Sequence, residues 1–154
     1  MIVDASVAAK WFLPEEEFES EAQLVRDALL DARIKGLAPS ILWSEVAHAI
    51  VGAVRQGRLD EDAARGVSAR FHRLETAVEL ANVTAEEAVN RALRVGIGAY
   101  DAKYLALSGE REQTMITADR RLFERGRAHG YDVVWLGDIA LRDGVLVDTP
   151  QGYQ

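Results

Sequence analysis

Four acidic residues lie beside predicted strand ends or helix starts: Asp4, Glu45, Asp101 and Asp119. Like charges gathered in one place repel one another unless a cation neutralises them. Oxygen ligands alone favour a hard divalent cation, Mg²⁺ or Mn²⁺, over zinc. Such an ion lowers the pKa of a bound water, polarises a phosphoryl oxygen and orients an in-line attack. The residue types therefore indicate metal-dependent chemistry at phosphorus.

Two of these acids directly follow apolar segments that we predict to be buried strands. Asp4 follows the segment 1–3, and Asp119 follows shortly after the segment 114–117. Strands separated by helices predict an α/β fold whose central, mostly parallel sheet has helices on both faces. In open α/β sheets, sites form beyond the carboxyl ends of the strands. We therefore expect Asp4 and Asp119 to face the same crevice.

The other two acids lie near the beginnings of predicted helices. Ser40 is a plausible N-cap for a helix with an apolar face, and Glu45 lies in its second turn. Asp101 lies in the first turn of a helix predicted over 100–108. Glu45 interrupts an apolar series, and an acid among core-facing residues is seldom left unpaired. Both acids are therefore expected at the same edge of the sheet as Asp4.

The remaining pattern completes the alternation of strands and helices. Apolar residues at three- and four-residue intervals predict a helix over 16–35 that Gly36 closes. Asp60 can cap a helix that extends to about residue 73. Thr84 and Glu87 match a capping box, in which each side chain accepts a hydrogen bond from the other residue's backbone N–H.

Length and composition restrict the class of protein. The 154 residues, 49% hydrophobic and 28% charged, fit one domain over 1–154 with a weakly patterned tail from about 137. Cysteine is absent, which excludes disulfides and cysteine nucleophiles. We expect a cytoplasmic protein, because no apolar run approaches the roughly 20 residues that span a bilayer and no signal peptide is evident. The net charge of −7 argues against a broad basic surface, but not against phosphate binding through metal ions.

Each acid also has an ordinary structural interpretation. Asp4 or Asp119 could cap the helix that follows it, and Asp101 could interact favourably with the helix dipole.

Two other classes of α/β protein fit the sequence less well. A phosphatase of the haloacid-dehalogenase type needs a second aspartate two residues after the first, where this chain has Ser6. A receiver-type phosphorylation module would lack the long helical stretch over 40–73.

At these residues the sequence resembles the PIN-domain family, and within it the toxin ribonucleases of bacterial VapBC toxin–antitoxin pairs. The matching blocks occur in family order and span residue 1 to about residue 136. They are Ile2-Val3-Asp4-Ala5-Ser6, Lys10-Trp11-Phe12-Leu13-Pro14-Glu15, Ala38-Pro39-Ser40 with Trp43-Ser44-Glu45-Val46, Tyr100-Asp101-Ala102 with Tyr104-Leu105-Ala106-Leu107, and Thr117-Ala118-Asp119-Arg120-Arg121-Leu122. One such block is weak alone, whereas the ordered set is specific.

The resemblance implies a PIN-like three-layer α/β/α sandwich with a sheet of four to five strands, and Mg²⁺- or Mn²⁺-dependent cleavage of RNA. A metal-activated water would attack phosphorus and leave a 5′-phosphate and a 3′-hydroxyl. By the same resemblance, the expected catalytic residues and metal ligands are Asp4, Glu45, Asp101 and Asp119.

The resemblance also implies further residues that could support the acidic site or contact RNA. Ser6 and Thr117 fall where the family has small hydroxyl residues that could orient an acid or a phosphate; a local backbone hydrogen bond is the alternative. Lys103, Arg120 and Arg121 are candidates for contacts with the RNA backbone, although a solvated helix face is the ordinary explanation for such arginines.

The expected partners also follow from the resemblance. They are an RNA substrate, a cognate antitoxin protein that covers the acidic cleft, and a second copy of the chain in a homodimer; no membrane is expected. The rival hypothesis is a catalytically inactive PIN-like binding or scaffold domain. The presence of all four acids favours catalysis, because a scaffold has no reason to collect like charges.

Overall fold

Five parallel strands form the central sheet of the protein, in a computed structural model that describes residues 1–14, 16–142 and 145–149. The strands lie in the order β3-β2-β1-β4-β5. Their bounds are β1, Ile2–Val3; β2, Gly36–Pro39; β3, Val78–Ala81; β4, Met115–Thr117; and β5, Val133–Trp135. The predicted α/β class with a mostly parallel sheet of four to five strands is confirmed.

Helices alternate with these strands and cover both faces of the sheet, which gives the predicted three-layer sandwich. Their bounds are α1, Ala5–Ala9; α2, Glu19–Leu30; α3, Leu42–Arg55; α4, Glu61–Ser68; α5, Phe71–Glu75; α6, Ala85–Val95; α7, Ala99–Arg111; and α8, Arg120–Ala128. No helix in the described ranges is long and apolar enough to cross a lipid bilayer.

The strand order reverses between β1 and β4. The chain moves outward from β1 through β2 to β3, and β4 then pairs with the other side of β1. Ile2, Val3 and Ile116 on these central strands have no exposed surface, because the sheet is covered on both faces. At such a reversal the segments that follow the two strands leave in opposite directions and open a crevice. Asp4 and Asp119, which follow β1 and β4, lie at this crevice.

Several helix ends follow the capping chemistry that the sequence predicts. Thr84 Oγ1 accepts a hydrogen bond from Glu87 N at 3.2 Å, and Glu87 Oε2 accepts from Thr84 N at 2.9 Å, so the capping box of α6 is complete. Asp60 Oδ1 accepts from Ala63 N at 2.7 Å at the start of α4. α6 ends at Gly96, whose φ of 75° is the left-handed conformation that glycine adopts without steric cost.

The predicted end of the second helix and the predicted N-cap of the third are wrong. α2 ends at Leu30, and Gly36 lies inside β2 opposite Val78. A Cβ atom on Gly36 would come within 2.6 Å of Leu29 Cδ2, so this glycine serves close packing of helix on strand. Ile41, not Ser40, occupies the N-cap position of α3, because Ser40 N still donates to Ala81 O at 2.9 Å as an extension of the sheet.

The helix predicted from Asp60 to about residue 73 is two helices, α4 and α5, separated at residues 69–70. The interruption places Phe71 against the ring of Phe12, with centroids 4.3 Å apart, and against Trp43 at 5.6 Å. Aromatic packing of this kind outweighs the small preference of the local sequence for a continuous helix.

The weakly patterned tail contains structure that the sequence analysis did not predict. A 3₁₀ turn at Leu136–Asp138 leads into two antiparallel strands, β6, Ile139–Arg142, and β7, Val145–Asp148. Thr149 N donates to Asp138 O at 2.7 Å and ties the end of this hairpin back to the turn. Glu15 of the N-terminal motif and residues 143–144 and 150–154 of the tail lie outside the described residues.

Candidate active site

A cavity of about 700 Å³ opens beyond the carboxyl ends of the central strands. The structure brings all four predicted acids to its wall, although they are spread over more than a hundred positions of the sequence. The lining residues are Asp4, Ala5, Ser6, Ala9, Ile41, Ser44, Glu45, His48, Ala49, Tyr100, Asp101 and Asp119. Acids form one side of this cavity, and small and apolar side chains form much of the rest.

Asp4 is the most buried of the four acids, with 4% of its surface exposed. Its Oδ2 atom accepts hydrogen bonds from Ser6 Oγ and from Thr117 Oγ1, the latter at 2.7 Å. Asp4 occupies the N-cap position of α1, but its side chain makes no capping hydrogen bond. Both hydroxyl donors thus engage the same oxygen, which leaves Oδ1 as the oxygen available to a cation.

The two hydroxyl groups are themselves held by the backbone after β4. Ser6 Oγ accepts from Ala118 N at 2.9 Å, and Thr117 Oγ1 accepts from Asp119 N at 3.0 Å. The two alternatives for Ser6 and Thr117, orientation of an acid and a backbone hydrogen bond, therefore occur together. This network joins the end of β1 to the end of β4 and fixes the orientation of the Asp4 carboxylate.

The surroundings of Asp4 raise its pKa to about 6. Burial is the main cause, because it removes water from the charged form. The two hydroxyl donors lower the pKa, while the charges of Asp101 and Asp119 raise it further. Asp4 is thus a carboxylate that carries its charge at neutral pH at a cost in folding free energy.

Glu45 reaches the cavity from α3, where it is half-buried. Tyr104, on α7, donates a hydrogen bond from its hydroxyl to Glu45 Oε2 at 2.6 Å. Burial raises the pKa of Glu45, the hydrogen bond from Tyr104 lowers it, and the charges of Asp4 and Asp101 raise it. Burial, followed by the charges of Asp4 and Glu45, raises the pKa of the Tyr104 hydroxyl, which keeps it a donor.

Tyr104 was not among the predicted site residues, and a signal for it was present in the sequence. It lies three residues after Asp101 on the same helix, so the two share a face. Only 1% of Tyr104 is exposed, and a buried tyrosine hydroxyl usually finds a partner. Tyr104 is a positioning residue that fixes one oxygen of Glu45.

Replacing Tyr104 with phenylalanine is expected to raise the Mg²⁺ concentration that half-maximal RNA cleavage requires by about tenfold, because an unsupported ligand is less well oriented. The measurement is a Mg²⁺ titration of the cleavage rate for the parent and for Tyr104→Phe. The same change in a Glu45→Gln background should add little, because Tyr104 acts through Glu45. Fully additive losses would contradict this positioning role.

Asp101 and Asp119 each lie at the start of a helix: Asp101 in the first turn of α7, and Asp119 directly before α8. Burial and the charge of Asp119 raise the pKa of Asp101, and a backbone hydrogen bond from Gly98 at the start of α7 lowers it. Asp119 is the N-cap of α8, since its Oδ1 accepts from Leu122 N at 2.9 Å. The capping interpretation of Asp119 is therefore confirmed. Its carboxylate nevertheless faces the cavity and acts electrostatically on Asp101.

The acids fit a hydrated Mg²⁺ or Mn²⁺ ion better than a closed zinc cage. Within the described ranges, no three acidic or histidine side chains already converge as a ligand cage. Mg²⁺ usually keeps several waters and is held by only one or two carboxylates. After burial, neighbouring acids raise the pKa of three of these groups: Asp101 and Asp119 act on Asp4, Asp4 and Asp101 act on Glu45, and Asp119 acts on Asp101. These effects indicate concentrated negative charge at the cavity. His48 lines the cavity but is exposed.

The three basic candidates occupy different surroundings. Lys103 Nζ donates to the carbonyl of Val83, on the segment before α6. The guanidinium of Arg120 lies 3.9 Å from the ring centroid of Trp135. Arg121 Nη2 donates to Gly96 O at 3.1 Å, and its charge lowers the pKa of Asp101. Arg121 thus acts directly on the electrostatics of an acid in the cavity.

Comparisons with known proteins agree with this geometry. Residues 1–128 match the family described as PIN domain. Ribonuclease VapC3 from Pyrobaculum aerophilum is 30% identical over 127 residues, which are 81% of this chain and 93% of that protein.

Two crystal structures show the same fold. PAE2754 from Pyrobaculum aerophilum has a TM-score of 0.66 and 20% identity, over 88% of each chain. VapC20 from Mycobacterium tuberculosis, a toxin that cleaves the sarcin–ricin loop, has a TM-score of 0.57 and 17% identity, over 84% of this chain and 95% of that one. Since the family match covers most of the chain and a relative is 30% identical over nearly its whole length, this chain belongs to the PIN domain family.

Proposed function

We propose that the protein is a Mg²⁺- or Mn²⁺-dependent endoribonuclease and the toxin of a toxin–antitoxin pair. The observation that carries the proposal is that Asp4, Glu45, Asp101 and Asp119 all line one cavity at the reversal point of the sheet. Burial and neighbouring acids raise the pKa values of Asp4, Glu45 and Asp101, as expected of carboxylates that lie together without a bound cation. The names of the relatives, a ribonuclease and an RNA-cleaving toxin, support RNA as the substrate.

Different residues of the chain would have different roles in such a reaction. Asp4 Oδ1, Asp101 and Asp119 would hold the divalent ion, which when bound supplies a more acidic water and an electrophilic partner for the phosphoryl oxygen. Glu45, with one oxygen held by Tyr104, would complete this ligand set with its other oxygen. Ser6 and Thr117 keep the Asp4 carboxylate in place. The expected products carry a 5′-phosphate and a 3′-hydroxyl.

The buried charge of Asp4 argues against a purely structural role for this fold. A scaffold gains nothing from an aspartate that is 4% exposed and whose pKa is raised to about 6, because ionising it at neutral pH costs stability. Strained or destabilising groups are retained where function needs them. This observation favours a nuclease over an inactive binding domain.

Two finer proposals concern protein partners. We expect a cognate antitoxin to cover the cavity, with an arginine that reaches the carboxylates through charge-assisted hydrogen bonds. We also expect a homodimer, for which α6 offers Val89 and Leu93, one helical turn apart and 50% and 80% exposed. Light scattering of the purified protein measures the second expectation. RNA is found in the cytoplasm, where we expect the protein to act.

The nuclease proposal is tested by incubating the purified protein with tRNA and ribosomal RNA in Mg²⁺, Mn²⁺ or EDTA. We expect cuts that EDTA abolishes and that Asp101→Asn slows by about 1000-fold, because a lost ligand removes several kcal/mol of transition-state stabilisation. Asp62→Asn is the matched control, an exposed acid on α4 that is paired only with Arg65. Equal cleavage by the parent and Asp101→Asn would show that the activity belongs to a contaminant.

A further inference from the structure

A series of arginines lies on the flank of the molecule formed by α6 and α8. We call it the arginine track: Arg91 and Arg94 on α6, and Arg121 and Arg125 on α8. Arg121 and Arg125 are one helical turn apart, as are Arg91 and Arg94, so each pair projects from one side of its helix. The apolar pair Val89 and Leu93 lies on the other flank of α6 by the helical period.

Contacts at Gly96 and at Tyr131 locate the two halves of the track. Arg121 Nη2 donates to Gly96 O at 3.1 Å, and a Cβ atom on Gly96 would lie 3.8 Å from Arg125 Nη1. Arg94 precedes Gly96 by two residues and donates to the hydroxyl of Tyr131 at 2.6 Å. Arg91 donates to the same hydroxyl. Arg121 and Arg125 therefore lie beside the C-terminal end of α6, the helix that carries Arg91 and Arg94.

Three arginines of the track, Arg91, Arg94 and Arg121, donate to neutral oxygen atoms. Arg91 and Arg94 share a phenol oxygen, and Arg121 contacts a carbonyl. In the described part of the chain, none of the four lies within 4 Å of a carboxylate, whereas Arg26 and Arg58 elsewhere do. A guanidinium has five N–H donors, and one neutral acceptor satisfies few of them. Two cations that share a single neutral oxygen repel each other, so the arrangement favours an added anion.

The track runs from the acidic cavity to the opposite edge of the sheet. At the end of the track nearest the acidic cavity, the charge of Arg121 lowers the pKa of Asp101. At its far end, a second cavity of about 470 Å³ lies next to the beginning of β5, and its lining includes Arg91, Arg94 and Tyr131 together with the acids Glu112 and Asp132. Residues 121 to 129 alone cover about 12 Å along the axis of α8.

We infer that the arginine track binds the phosphate backbone of an RNA strand that continues from the scissile phosphate in the acidic cavity. The inference rests on the proposed ribonuclease function, and it adds the position on the protein surface at which a longer RNA binds. RNA fits better than an acidic protein segment, because the track begins beside the acid that would hold the scissile phosphate's metal ion. Arginine forks also match phosphate oxygens. Such a surface also explains how a chain of net charge −7 holds RNA at all.

The test compares RNA binding by Arg91→Gln/Arg94→Gln with the matched control Arg55→Gln/Arg70→Gln, which changes the net charge equally through exposed arginines elsewhere. All proteins carry Asp101→Asn, so that binding is measured without cleavage. The probes are unfractionated tRNA and a single-stranded hexanucleotide. We expect the track variant to bind tRNA about tenfold more weakly, with a salt slope lower by about 1.5, since each lost phosphate contact removes about 0.7–0.9. The control should keep the parent's values.

The outcomes separate this inference from the function on which it rests. If Arg91→Gln/Arg94→Gln and the control bind tRNA alike while the parent with intact Asp101 cuts RNA, the inference that the track binds RNA is wrong and the nuclease proposal stands. If the parent neither binds nor cuts any RNA, both fail. If the track variant binds RNA normally but loses affinity for polyglutamate, the surface takes an acidic protein segment and the RNA assignment is overturned.

A second variant covers the risk that losing the Tyr131 contacts disturbs the fold. Arg94→Gln/Arg125→Gln keeps the hydrogen bond from Arg91 to Tyr131 and still removes two charges from the track. It should lower tRNA affinity and the salt slope as the first variant does, and Arg94→Lys/Arg125→Lys should largely restore the slope. Unchanged tRNA binding by a folded Arg94→Gln/Arg125→Gln variant would overturn the inference.

Discussion

The Asp4→Asn variant is expected to lose RNA cleavage by about 1000-fold or more and, without metal, to be more stable than the parent. The two effects have one cause, the buried negative charge of Asp4. Cleavage needs that charge to hold a divalent ion, whereas the metal-free fold tolerates it at a cost. An asparagine keeps an oxygen that can accept from the hydroxyls of Ser6 and Thr117, so the local network can persist.

The size of the stability gain follows from the pKa of Asp4. A shift from 3.8 to about 6 corresponds to about 3 kcal/mol of lost stability when the group is ionised. We expect urea unfolding at pH 7.5 in EDTA to show a gain of about 2–3 kcal/mol for Asp4→Asn, with an unchanged m-value. Asp62→Asn, an exposed control, should change stability by less than about 0.5 kcal/mol. A destabilised Asp4→Asn variant would contradict the assignment of Asp4 as a costly ionised group.

The stability of the metal-free protein is expected to fall by about 3 kcal/mol as the pH rises from 4 to 7. A carboxyl whose folded pKa is raised binds its proton more tightly in the folded state than in the unfolded state. Its stabilising contribution is complete below the unfolded value of 3.8 and is lost as the pH rises through about 6. Glu45 and Asp101, whose pKa values are also raised, change stability in the same direction. Urea unfolding in EDTA at half-unit pH steps measures this slope.

A divalent ion should remove most of this pH dependence. Mg²⁺ binds the folded state at the ionised carboxylates, so its stabilising effect grows as the pH rises and the protons leave. We expect 10 mM Mg²⁺ to raise the melting temperature of the parent at pH 7.5, to have little effect at pH 4.5, and to have little effect on Asp4→Asn at either pH. Equal stabilisation of both proteins would place the ion away from Asp4. A parent whose metal-free stability rises between pH 4 and 7 would contradict the raised pKa values.

The convergence of the four acids could be predicted because it depends on simple features of the sequence. A strand that ends in an acid fixes that acid at one edge of a parallel sheet, and this holds for Asp4 and, one residue further on, for Asp119. Capping chemistry is also local, so the box of Thr84 and Glu87 and the cap at Asp60 are read correctly. The order β3-β2-β1-β4-β5 then places β1 and β4 side by side.

Features that depend on packing between distant segments could not be predicted in the same way. Whether a lysine or arginine reaches a cleft or turns to a carbonyl or an aromatic ring depends on tertiary neighbours, as the contacts of Lys103 with Val83 and of Arg120 with Trp135 illustrate. The partner of Tyr104 lies 59 positions away on another helix. The helical period places Tyr104 on the same face as Asp101, but its pairing with Glu45 on a different helix has no local signature and depends on the folded chain.

The position of β1 has a consequence for how the protein is made. This strand is the first to be synthesised, yet it lies in the middle of the sheet, with β2 on one side and β4 on the other. A growing chain on the ribosome can pair residue 2 with residue 37 early, but the hydroxyl of Thr117 and the carboxylate of Asp119 arrive only after most of the chain has been translated. Long-range pairing of this kind is slow to form and comes late in folding. A nascent chain that ends before residue 119 therefore lacks one of the four acids that line the cavity.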